Sequence, residues 1–221
     1  YAKGAASFAF GASATANGDQ SIAIGGNVVS YGNASVAIGG DDTDSAANTQ
    51  TTYIDTNGKD KTGSVQQAFS DLTGGTLQIP RWMNTIAGEA AVALGTKTRA
   101  GDLSLALGSL ATAQKTNAVA VGTGANASLA NSVAIGGAQD GTLGNKAGTA
   151  AKATGDNAVS IGTNATASIK DSVALGSNST TSNFVPTNSA TVGTLTYSGF
   201  AGNSSALGNG AVVSVGTAGS E

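Results

Sequence analysis

Bulky and small residues alternate along this chain in a five-residue unit that keeps returning. Ser35-Val36-Ala37-Ile38-Gly39 is one copy, and variants stand at 7–11, 21–25, 91–95, 104–108, 118–122, 132–136, 158–162 and 172–176. Where nothing interrupts them the closing glycines fall 14 residues apart, with one step of 13 between Gly95 and Gly108. A fixed period signals a repeat architecture and outranks any local reading. This one is too short for helical or propeller repeats and fits one coil of a narrow β-solenoid. Within the pentad the period is two, so Val and Ile point one way and Ala and Ser the other, as in a strand.

The half-coil after each glycine alternates as well. Ala14 and Ala16, Thr98 and Ala100, Ala111 and Ala113, Ala125 and Ala127, and Ala165 and Ala167 are small, while Ser13, Thr15, Lys97, Arg99, Asn164 and Thr166 between them are polar or charged. A second strand is expected, with a small inner face and a wet outer one. Lys97, Arg99, Asn126, Asn164 and Thr166 would then form the generic contact surface. Gly18, Gly32, Gly88, Gly101 and Gly155 stand four residues before the first bulky pentad position and suit a sharp corner at positive φ. Two residues before that position, Gln20, Asn117, Asn131, Asn157 and Asp171 offer a polar ladder from coil to coil, broken at Ala34, Ala90 and Leu103.

Two orientations of the pentad are open. If its Ala/Ser face meets the small return strand, its bulky side chains point outward: Ile22, Ile24, Val36, Ile38, Val92, Leu94, Leu105, Leu107, Val119, Val121, Val133, Ile135, Val159, Ile161, Val173 and Leu175. A monomer rarely leaves so long an apolar stripe in water. At roughly 1.5–3 kcal/mol per aliphatic side chain fully buried, such a stripe strongly favours self-association. The opposite orientation encloses these residues in a monomeric roll. The pattern favours the first, and with it an oligomer around an axis parallel to the solenoid.

The interruptions divide the chain into repeats over 1–40, an insertion over 41–88, repeats over 89–182 with a long loop at 137–156, a second insert over 183–209, and a last stretch over 210–221. In the first insertion Asp41, Asp42 and Asp44 open what reads as a hydrated loop. Thr51–Ile54 and Lys59–Thr62 flank Asn57-Gly58, a hairpin dipeptide. Ser64–Leu72 is expected to be helical, with Ser64 and Gln67 as a capping box and Gly74-Gly75 as its end. Leu77–Ile79 resembles a strand closed by Pro80. In the second insert Val192, Leu195 and Tyr197 suggest antiparallel strands, and Val212–Gly216 restores a pentad-like strand.

Composition narrows the chemistry. With 33 glycines and 5% aromatic residues the chain cannot fill a thick core, yet scheduled Val and Ile argue against disorder. The net charge is −3 and the ten basic residues are scattered, so nucleic acid is not an expected partner. No apolar run is long enough to span a bilayer. The pattern is cut in mid-course at Tyr1 and Glu221, so a longer parent chain is expected. Histidine and cysteine are absent, which removes the commonest general base, thiol nucleophiles and the usual zinc sets. No catalytic, cofactor or metal residue is assigned, and a non-enzymatic protein is expected. Asp55-x-Asn57-Gly58-x-Asp60 lacks the closing Glu of a calcium loop and reads as a hairpin tip.

Arg81-Trp82-Met83 is the most pointed local feature. Arg beside an exposed Trp can anchor an interface; the preferred reading has Trp82 plugging the insertion onto the roll. Arg81, Trp82, Lys97 and Arg99 are accordingly the candidate ligand contacts. Phe200 is read in the same way, as a packing anchor first.

These motifs, in this order, resemble the head of a trimeric autotransporter adhesin of the YadA-like kind. NSVAIG stands at Asn131–Gly136, VQQAF at Val65–Phe69 and LTG at Leu72–Gly74 resemble a head insert motif, Phe200-Ala201-Gly202 matches an FxG insert, and Val212–Glu221 resembles the lead-in to a neck. The resemblance implies an all-β, left-handed parallel β-roll, a homotrimer joined through the bulky pentad face, and exposure on the surface of a Gram-negative bacterium. It also implies attachment to host matrix proteins or cell-surface receptors, and bacterial self-association. The rival readings are an ice-binding solenoid, which needs a flat threonine array, and a purely structural spacer. A glycan-cleaving solenoid would need paired acids in a groove.

Overall fold

A computed structural model describes residues 1–55, 57–73, 76–77, 82–137, 150–184, 189–199 and 210–216. The pentads are strands, numbered here along the chain with the rest. They run as β1 (Phe8–Phe10), β3 (Ile22–Gly25), β5 (Val36–Gly40), β9 (Val92–Thr96) and β11 (Leu105–Leu107). They continue as β13 (Val119–Val121), β15 (Val133–Ile135), β17 (Val159–Ile161), β19 (Val173–Leu175) and β22 (Val213–Val215). Among the described residues these ten form one parallel sheet in that order. Register is kept throughout: Ile22 faces Val36, Leu105 faces Val119 and Val173 faces Val213.

The return strands form a second parallel sheet. They are β2 (Thr15–Ala16), β4 (Val28–Ser30), β8 (Thr85–Ala87) and β10 (Arg99–Ala100), then β12 (Thr112–Ala113), β14 (Asn126–Ala127), β16 (Lys152–Ala153) and β18 (Thr166–Ala167). The chain is therefore all-β in its body, a parallel β-roll of two sheets. The interior is nearly all alanine and serine. Ala23, Ala37, Ala93, Ala106, Ala120, Ala134 and Ala174 from the pentads and Ala16, Ala87, Ala113, Ala127, Ala153 and Ala167 from the return strands are fully buried. The first orientation is thus the one adopted.

Small residues let the two sheets close, and the serines among them need acceptors in a dry interior. Ser21 Oγ donates to the Gly18 carbonyl at 2.6 Å, Ser35 Oγ to Gly32 at 2.5 Å and Ser160 Oγ to Ala165 at 2.8 Å. Thr85 Oγ1 reaches the Gly95 carbonyl at 2.7 Å and Thr98 Oγ1 that of Gly108 at 2.8 Å. Among the described residues no buried side-chain polar atom lacks a partner.

The corners depart from expectation in one respect. The glycines before the pentads do not adopt positive φ; the residues two positions later do, namely Gln20, Ala34, Ala90, Leu103 and Asn157. The glycine is required by crowding instead. A Cβ at Gly18 would lie 2.0 Å from the carbonyl oxygen of Gly32, one coil away. The expected ladder is present from Asn117 to Asp171: Asn117 Nδ2 donates to Asn131 Oδ1 at 3.0 Å, Asn131 to Asn157 at 3.0 Å, and Asn157 to Asp171 at 2.6 Å. Asparagine suits this column twice, since it tolerates left-handed backbone and carries both donor and acceptor.

The inserts occupy less of the chain than expected. Residues 150–156, read as part of a loop over 137–156, contain β16 and its corner; Ala151 and Ala153 are buried but no bulky residue marks them. Likewise β8 and Gly88, placed within the insertion over 41–88, complete a coil. The insertion proper holds α1 (Asp44–Asn48), β6 (Gln50–Ile54), β7 (Asp60–Ser64) and α2 (Val65–Thr73). β6 and β7 pair as the expected hairpin. Ser64 Oγ caps α2 by accepting from the Gln67 amide at 3.0 Å, while the Gln67 side chain turns to Asp71, so half the capping box forms. The aspartates expected in a hydrated loop are partly structural: α1 begins at Asp44, and Asp41 is buried and accepts from Asn27 Nδ2 at 2.8 Å. In the second insert β20 (Ser189–Val192) and β21 (Leu195–Ser198) form an exposed antiparallel hairpin. Residues 78–81, Gly74-Gly75, the FxG stretch with Phe200, and 217–221 lie outside the described residues.

Candidate functional site

The pentad sheet presents its bulky side chains outward over its whole length. Ten strands at about 4.8 Å make a face roughly 43 Å long. Ile22, Ile24, Val36, Ile38, Val92, Leu94, Leu105, Val119, Val121, Val133, Val159 and Val173 are half-buried by their neighbours in the column. Leu107, Ile135, Ile161 and Leu175 remain 36–43% exposed. In-register stacking brings all sixteen expected residues into two parallel columns. The face is longer than the sixteen: Phe8 and Phe10 extend it at one end, at 52% and 67% exposure, and Val213 and Val215 at the other, at 72% and 64%. Register carries that signal, since Phe8 pairs with Ile22 and Val215 with Leu175.

The return sheet offers the second outward surface. Its outer column reads Thr15, Val29, Ile86, Arg99, Thr112, Asn126, Lys152 and Thr166, with Thr180 bridged to Thr166. Ile86 and Lys152 belong to it although the sequence pattern did not reveal them. Ile86, Arg99 and Lys152 break any flat threonine array of the kind ice binding needs.

Of the four candidate ligand contacts, Arg99 is exposed on this column and Arg81 lies outside the described residues. Lys97 is not a surface residue. It is fully buried at a corner with φ of 59°, and its Nζ donates to the Leu77 carbonyl at 2.9 Å, a carbonyl that also accepts from Thr43 Oγ1 at 3.0 Å. Burial pushes its pKa down, and the nearby carboxylates of Asp44, Asp42 and Asp41 pull it back up. Lys97 therefore fastens the insertion to the roll. Trp82 does not plug that junction: it is 63% exposed, while the adjacent Met83 is half-buried and its amide donates to Asp41 at 3.1 Å.

The hairpin and α2 meet at a polar hub. Asp71 accepts from the Tyr53 hydroxyl, from Lys61 Nζ at 2.7 Å and from Gln67 Nε2 at 2.6 Å. These donors hold its carboxyl at about 2, below the usual range. Asp55, at the hairpin tip, accepts from the amides of Asn57 at 2.8 Å and Lys59 at 3.0 Å, which lower its pKa. Its carboxylate closes the turn. Among the described residues no acid cluster has the makings of a metal site, and no helix is long and apolar enough to cross a membrane.

What this geometry can do is bind through repeated surfaces. A family model described as the YadA head domain repeat (2 copies) matches the sequence at residues 2–27, 100–125, 113–138 and 148–179. The matched stretches are coils of the roll, and both inserts lie outside them. No curated protein matches the chain. Coil geometry and matched repeats agree: the matched coils are YadA head domain repeats, and they support a YadA-like head domain of a trimeric autotransporter adhesin.

Proposed function

We propose that this chain is the head of a homotrimeric surface adhesin that attaches a Gram-negative bacterium to host matrix proteins or cell-surface receptors and supports self-association of the cells. Binding is non-enzymatic and multivalent, with weak contacts repeated on equivalent faces and multiplied by avidity. The observation that carries the reading is the unbroken bulky face opposite a core of alanine and serine. Such a thin core leaves the larger side chains with nothing to pack on inside one chain, so three copies bury them together around a common axis. The return sheets then face outward on the exterior of the cell. Beads coated with the chain, compared with bare beads on surfaces bearing matrix proteins or cultured cells, test the reading. Retention that falls sharply at low coating density supports it; retention equal to that of bare beads contradicts it and favours a structural spacer.

A further inference from the structure

Two neighbouring coils are one residue short, and both are short at the same corner. Five residues usually link a return strand to the next pentad strand, as 114–118 do between β12 and β13. Four do so at 88–91, between β8 and β9, and at 101–104, between β10 and β11. The absent residue is the first of the corner, which Tyr31 supplies one level below and Gln114 one level above. Its loss from two adjacent levels leaves a notch of about 600 Å³ with Gly88 and Gly101 at its base. Met83 and Ile86 line it, as do Arg99 and Lys115.

We propose that this notch is a carbohydrate-binding site for an acidic saccharide, one carrying carboxylate or sulfate groups. The proposal rests on the adhesin reading and gives its ligand a chemical class. Arg99 and Lys115 are exposed, and among the described residues neither is held in an ion pair. Two acids stand on the same short corners and bond from coil to coil. Asp102 Oδ1 accepts from the Glu89 amide at 3.0 Å, and Glu89 Oε2 accepts from the Asn33 amide at 2.8 Å and from Asn33 Nδ2 at 3.1 Å. Arg99 and Lys115 line the notch whereas Glu89 and Asp102 are not among its lining residues, so the cations are the charges it presents, and a guanidinium matches the paired oxygens of a carboxylate or sulfate.

The rest of the lining suits a sugar. Met83 and Ile86 give an apolar wall for the C–H face of a pyranose ring, and Thr112 and Gln114 can meet its hydroxyls. Glycine is required at both positions by the next coil, since a Cβ at Gly101 would lie 2.5 Å from the Gln114 carbonyl oxygen and one at Gly88 2.5 Å from Asp102 Oδ1. The volume lies within the usual range for small-ligand sites. An acidic peptide fits less well. β8, β10 and β12 are paired on both sides, so an extended chain finds no free strand edge to join.

The test measures binding of labelled tetrasaccharides to the full chain: one containing glucuronate, one sulfated, and uncharged maltotetraose. The acidic probes should bind, and the double variant Arg99→Gln, Lys115→Gln should weaken them about tenfold or more. Lys152→Gln, two return strands beyond β12, should leave them unchanged. No binding of either acidic probe at millimolar concentration, equal binding of maltotetraose, or indifference to the double variant overturns the proposal. A glutamate-rich peptide that binds as tightly and loses as much in the double variant overturns the saccharide assignment. Bead adhesion separates the two readings. If wild-type beads adhere and the double variant adheres equally well, the notch falls and the adhesin stands; if wild-type beads fail to adhere, the adhesin reading falls.

Discussion

The roll and its first insertion hold themselves together by different means. In the roll every coil repeats the last: alanine against alanine, glycine under glycine, an asparagine rung above an asparagine rung. No ion pair joins the two sheets among the described residues. The insertion has one turn of everything. It has a small core of Ala47, Tyr53, Ala68 and Leu77, with the Asp71 carboxylate joining the hairpin to α2 and the buried ammonium of Lys97 seating the insertion on the roll. A repeated structure spreads its stability over identical interfaces. A unique one concentrates it in a few groups, so changes of pH and of charge should separate the two regions.

The largest effect is expected from closing the space that repetition needs. Gly122 has φ of 123°, and a Cβ there would lie 2.6 Å from the Gly137 amide. Gly122→Ala combines strain with overlap, and a loss of roughly 2–5 kcal/mol is expected from such a combination. Urea denaturation followed by circular dichroism checks it; an unchanged midpoint would show that the stack tolerates side chains.

A change at the seam should act on one region alone. Lys97→Ala removes the Nζ donor to Leu77 and leaves a buried gap. About 1–3 kcal/mol is expected from the lost bond and packing. Hydrogen exchange should quicken across β6, β7 and α2 while the pentad amides stay protected. Uniform acceleration would mean that the insertion and roll unfold together.

Acid should make the same distinction more gently. Asp71 titrates at about 2 in the folded chain, against 3.8 for an unperturbed carboxyl. Its stabilising contribution is therefore complete above the unfolded value and is lost as pH falls through about 2. Exchange within the hairpin and α2 should rise over that window with the roll unaffected, and Asp71→Asn should show the loosened behaviour already at neutral pH. A flat profile for the insertion would remove Asp71 from its role.

The smallest effect concerns one rung. Asn131→Gly keeps the left-handed backbone conformation accessible and removes two side-chain hydrogen bonds, to Asn117 and Asn157. About 0.5–1.5 kcal/mol is expected, because the rungs are exposed to competing water. A larger loss in thermal unfolding would make the ladder a main support.

The same contrast explains what the sequence made legible. The pentads, their outward bulky face and the asparagine ladder could be read because a column repeats its own signal, so Val119 and Val133 corroborate each other. β16 was hidden because Ala151, Lys152 and Ala153 contain no bulky marker and follow a long insert. The corner glycines stand out in the sequence but their cause does not, since a sequence shows that a Cβ is absent and not which neighbour would have met it. Lys97 looked exposed because its alternation with Thr98 is what an outer position would show. Only the insertion, folding back through Leu77, buries it. Within the insertion the hairpin and α2 carried local signals, while α1 is five polar and small residues with no apolar face to announce it.

The central claim is that the bulky face, from Phe8 to Val215, is an interface between copies of this chain. Light scattering at low protein concentration measures it most directly. A solution mass near three times the 21.1 kDa of one chain, falling to a single chain in Leu107→Asp, Ile135→Asp with circular dichroism retained, is the result expected. A stable monomer of the unaltered chain, with Ile135 and Leu175 left in water, would contradict it.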